Sequence, residues 1–102
     1  MTTCALQNLS ELENSLNIAR QILESSKPFS YYLICKKENA LWDFFYITES
    51  GEISHHRIKC YKIGKLTIYK NAGEFLSRTL EKLMSHLIGR PISSCFQVGL
   101  RL

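Results

Sequence analysis

FFYITESGEISHHRIKCYKIGKLTI, residues 44–68, is the stretch whose reading decides the fold. It opens on Phe44, Phe45, Tyr46 and Ile47 without a polar break. A short run so dense in aromatic and branched side chains reads as a strand covered on both faces. Ser50-Gly51 is a hairpin turn signal. Residues 52–61 (EISHHRIKCY) then alternate by two, the period of a strand. Gly64 breaks the chain before a shorter strand, 65–70 (KLTIYK).

Working outward, the central strand spans 41–48 (LWDFFYIT), and residues 30–37 (SYYLICKK) form another strand before it. Upstream, residues 10–25 place Leu12, Leu16, Ala19, Ile22 and Leu23 at three- and four-residue spacing, one apolar face of a helix. Ser10 with Glu13 reads as a capping box, and Pro28 stops the helix. Downstream, residues 74–88 carry Leu76, Leu80, Leu83, Met84 and Leu87 as a second helical stripe. Asn71 with Glu74 reads as its cap, and Gly89 and Pro91 as its end. The tail 92–102 alternates Phe96, Val98 and Leu100, as an edge strand or a loop over the second helix. The expected fold class is α+β: a central antiparallel sheet, a meander of three strands at its heart, flanked by two α-helices.

The chain is 102 residues long, 45% apolar and 22% charged. One domain, 1–102, fills that length, and a (β/α)₈ barrel of roughly 200 residues or more is excluded. The composition excludes wholesale disorder, collagen and coiled coil. No Lys or Arg precedes residue 20 and no apolar run follows, so no secretory signal is expected. No run reaches the length of a membrane span, and no membrane partner is expected. Cys4, Cys35, Cys60 and Cys95 form no close pair, so neither a metal nor another cofactor is expected, and they read as reduced thiols in a cytoplasmic protein.

Charge is uneven. Thirteen basic and nine acidic residues leave +4, and Arg57, Lys59, Lys62, Lys65 and Lys70 fall between Ile53 and Gly73 with no acid among them. Side chains two apart on a strand share a face, so His55, Arg57 and Lys59 point one way and His56 the other. With Lys36 and Lys37 at the end of the first strand, this cluster has the chemistry of a phosphate site, since arginine's planar fork matches phosphate oxygens. The plainer reading is a solvated strand face whose charges guard against edge pairing.

The residues Tyr32-Leu33-Ile34-Cys35, Phe45-Tyr46-Ile47-Thr48, Ser50-Gly51-Glu52-Ile53, His55-His56-Arg57-Ile58, Gly64-Lys65-Leu66-Thr67-Ile68 and Thr79-Leu80-Glu81-Lys82-Leu83-Met84-Ser85-His86 follow one another. In order and spacing they resemble a Src homology 2 domain, the module that binds phosphotyrosine peptides. The resemblance covers about residues 15–88 and is best over 44–68. It implies that His55 and Arg57 flank the phosphotyrosine, and that Lys37 lies where a phosphate-binding hydroxyl is usual. It also implies that His56, Ile68 and Tyr69 shape a specificity pocket gated by loops 70–73 and 89–92. The arginine that closes the family's FLVR-type motif is missing: the alignment sets Cys35 there, or Ile34 after a shift by one. An early helical arginine is also missing, with Leu16 near its place, and Trp42 does not stand where the family has its tryptophan.

The expected function is therefore an adaptor-type signalling module for phosphotyrosine peptides, with a non-standard phosphate pocket built from Lys36, Lys37, His55, Arg57 and Lys59. A degenerate module binding unphosphorylated peptide or a partner protein is the alternative. A small basic nucleic-acid-binding domain is the second, with Phe45, Tyr61 and Tyr69 as stacking groups, although nucleic acid is the weaker partner without an RNP-like motif. No enzyme is expected. Cys35 with His55 or His56 writes a nucleophile–base pair, but no third member or oxyanion loop accompanies it. The Lys-, Asn-, Ile- and Ser-rich composition suits a bacterial effector that borrowed a eukaryotic module and acts in the host cytosol.

Overall fold

A computed structural model describes residues 14, 17–36, 40–71 and 75–101. Residues 17–23 are helical (α1). There follow β1 (Ser30–Lys36), β2 (Leu41–Ile47), β3 (Ile53–Ile63), β4 (Leu66–Asn71), β5 (Leu76–Ser77), α2 (Leu80–Ile88), a single 3₁₀ turn (Ile92–Ser94) and β6 (Phe96–Arg101). The strands form one six-stranded sheet in the order β5-β4-β3-β2-β1-β6. Pairing is antiparallel from β1 to β5, while β6 runs parallel to β1, so the sheet is mixed and larger than a three-stranded meander.

Strand parity splits the core in two. Leu33, Phe44, Tyr46 and Ile58 pack on one face with Leu83 and Met84 of α2. Tyr32, Ile34, Phe45 and Ile47 pack on the other with Ala19 and Leu23 of α1. Phe44 and Phe45, consecutive in β2, are both fully buried, as a strand covered on each side requires. Each such burial contributes about 1.5–3 kcal/mol. The helix-sheet-helix layering agrees with the α+β expectation. Among the described residues no helix is long and apolar enough to cross a membrane. The Ser10–Glu13 capping box lies outside the described residues.

The second helix begins later than its apolar spacing predicts. Leu76 and Ser77 are strand, paired with Lys70 and Tyr69, and Leu76 is 56% exposed rather than part of the helical stripe. Asn71 ends β4 instead of capping a helix. The cap is Thr79, whose extended backbone lets Oγ1 accept the Lys82 N–H at 3.2 Å. Gly89 closes the helix in the left-handed region, φ 87°, donating its N–H to the Ser85 carbonyl.

The tail becomes the edge strand β6. Its register steps between Tyr31 and Tyr32, which pair with Gln97 and Gly99 and leave Val98 between them. Gly99 lies under the Tyr32 ring, and a Cβ there would collide with that ring. Phe29 starts the sheet from a left-handed conformation, φ 66°. Its N–H donates to the Ile47 carbonyl, and its own carbonyl accepts from the Phe96 N–H.

Candidate functional site

The face of the sheet toward α1 carries three cross-strand rows: Tyr32–Phe45–His55, Ile34–Asp43–Arg57 and Lys36–Leu41–Lys59. Asp43 stands at the centre of this face with no exposed side-chain surface. Its Oδ1 accepts from His55 Nε2 at 2.9 Å and from Arg57 Nε at 3.2 Å. Lys36 Nζ lies 3.2 Å from Oδ2 as an ion pair. Since an ionised carboxylate only accepts, His55 carries its proton on Nε2.

Burial alone would raise the Asp43 pKa. The bond from His55, the Lys36 ammonium and the Arg57 charge outweigh it and hold the carboxyl at about 2. Asp43 is thus an anion at any physiological pH. Lys36, Arg57 and Lys59 together exceed it by two charges, before any charge on His55. The His55 ring is fixed further by stacking on Phe45, centroids 4.4 Å apart. Arg57, 43% exposed, spends Nε on Asp43, and among the described residues the two terminal nitrogens of its fork remain for another acceptor.

Of the residues expected from sequence, Lys36, His55, Arg57 and Lys59 share this face. Lys37 lies outside the described residues. Cys35 does not share it: Cys35 opposes Trp42, which opposes Ile58, the row facing α2. Strand parity therefore separates Cys35 from the basic cluster. The neighbours of His55 and Arg57 on β1 are Ile34, buried and apolar, and Lys36, which is charged and in the cluster. Sequence reasoning missed Asp43, although the signal was present as the one acid in LWDFFYI, two residues before a core phenylalanine.

The expected specificity residues separate. His56 faces α2, stacks on Tyr46 with centroids 5.8 Å apart, and has Nε2 3.4 Å from Ser54 Oγ. Burial lowers its pKa, and the neighbouring His55 adds to that. Tyr69 packs against the α2-side core, opposite Cys60 and Ser77. Burial raises its hydroxyl pKa, with Cys60 and Glu81 acting in the same direction. Ile68 opposes Tyr61 and belongs to the other face.

The nucleophile pairing does not form. His55 is on the face opposite Cys35, and His56 sits two strands away, roughly 10 Å at ordinary strand spacing. The aromatics do not make one platform either, with Phe45 buried and Tyr61 and Tyr69 on opposite faces. The described cysteines, Cys35, Cys60 and Cys95, are half-buried. Comparison with known families, curated proteins and solved structures finds no match to this chain.

Proposed function

We propose that this chain is a peptide-recognition module that takes a phosphotyrosine side chain on the α1 face of its sheet. The observation that carries the reading is the Arg57 guanidinium, anchored through Nε by a buried carboxylate, with its terminal nitrogens uncommitted among the described residues. Pre-anchoring reduces the rotamer entropy lost on binding. Lys36 and Lys59 add positive charge beside it, and His55 adds a flat ring for an aromatic ligand. The order α1, strands, α2 and terminal strand accords with the resemblance to Src homology 2 domains. The phosphate contact is then made by Arg57 and Lys36 instead of an arginine within β1. Charged hydrogen bonds of this kind contribute about 1.5–3 kcal/mol each.

One observation favours a second reading, a module for unphosphorylated peptide: Asp43 already supplies an anion to Lys36 and Arg57. A degenerate tyrosine-peptide library, titrated before and after enzymatic phosphorylation, separates the two. Tighter retention of the phosphorylated pool is expected. Equal retention of both pools establishes the second reading, and retention of neither sinks both.

A further inference from the structure

The β3–β4 hairpin ends in an exposed tip. Tyr61, Lys62, Ile63, Gly64 and Lys65 are exposed one after another, Ile63 at 67% and Tyr61 at 44%. Register places Tyr61 opposite Ile68 and Ile63 opposite Leu66, so four apolar side chains share one face of the tip. Among the described residues, neither core cluster includes them.

Cations surround this strip. Lys59 lies directly opposite Lys70 at its base. Like charges in that position destabilise a strand pair unless an anion offsets them. Lys62 opposes Thr67 on the other face, and Lys65 sits in the turn. No acid occurs from Ile53 to Asn71.

We propose that the tip docks on an anionic lipid surface. Ile63 and Leu66 enter the acyl boundary, Tyr61 sits at headgroup level, and the lysines meet the headgroups. A narrow tip with cations on both faces fits a plane of negative charge better than a flat protein patch. The sequence expectation of no membrane partner rested on the lack of a spanning segment, which a docking hairpin does not need. This site adjoins the Asp43 cluster along β3 and shares Lys59 with it, but it does not depend on the phosphotyrosine reading.

Co-sedimentation with phosphatidylcholine vesicles, with and without phosphatidylserine, tests it. Binding is expected only with phosphatidylserine, and weakening with salt. Lys65→Gln should lower it about fivefold, Ile63→Asp should abolish it, and Lys82→Gln on α2 should leave it unchanged. Ile63 is exposed, so circular dichroism and the melting temperature should match the parent. Equal binding to both vesicles, no binding, or full binding by Ile63→Asp overturns the proposal. So does preference for a single-stranded oligonucleotide, or self-association that Ile63→Asp removes, since each gives the tip another occupant.

Discussion

Replacing Asp43 with asparagine removes the charge on which Lys36, His55 and Arg57 converge while keeping the side-chain shape. A carboxyl held at about 2 against an ordinary 3.8 represents about 2 kcal/mol of folding stability. The three partners are 22, 26 and 43% exposed, so they regain water when the anion goes. The cost therefore stays near 2 kcal/mol, below the ~3–5 kcal/mol of stranding a fully buried ion. Urea unfolding of parent and Asp43→Asn at pH 7 measures it. The pH dependence has a definite sign. A depressed carboxylate contributes fully above its unfolded pKa and loses that contribution as pH falls through its folded value. The gap between the two proteins should hold from pH 7 to about 4.5 and close toward pH 2. A gap under about 0.5 kcal/mol at pH 7, or one constant down to pH 2, refutes the account of Asp43 as an ionised keystone.

Gly99→Ala should cost about 1–3 kcal/mol in urea unfolding, because the added Cβ meets the Tyr32 ring beneath the β1–β6 pairing. An unchanged midpoint would mean that β6 does not hold this register. Thr79→Ala should cost about 1 kcal/mol by loss of the α2 cap, with Thr79→Ser recovering most of it. His56, whose protonation burial opposes, should contribute stability above the ordinary histidine value of 6.5 that is lost as pH falls below it. Unfolding of His56→Gln should show a shallower decline between pH 7 and 5, and an identical slope would contradict the burial.

The helix-sheet-helix layering was legible because α1 and α2 carry apolar residues at helical spacing and β2 an apolar run that needs cover on both faces. The start of α2 was not. Leu76 fits the helical stripe by spacing, and only the pairing of Leu76–Ser77 with β4 shows that the strand signal wins. The parallel pairing of β6 is likewise a tertiary fact, since Phe96, Val98 and Leu100 alternate the same way in either direction. The basic cluster could be read from the parity of His55, Arg57 and Lys59. Its centre could not, because Asp43 meets partners twelve and fourteen residues on, across a strand register. That Cys35 and Lys36 lie on opposite faces follows from strand parity, which matching of motif letters alone does not use.

The most direct measurement is an amide-resolved NMR titration with a phosphotyrosine peptide pool, run on the parent and on Lys36→Arg and Arg57→Ala. A phosphate site on the α1 face predicts shifts centred on Lys36, Asp43, His55 and Arg57. It further predicts tighter binding for Lys36→Arg, which restores a fork on β1, and a loss of about tenfold or more for Arg57→Ala. Shifts centred elsewhere, or the same response to the unphosphorylated pool, would contradict it.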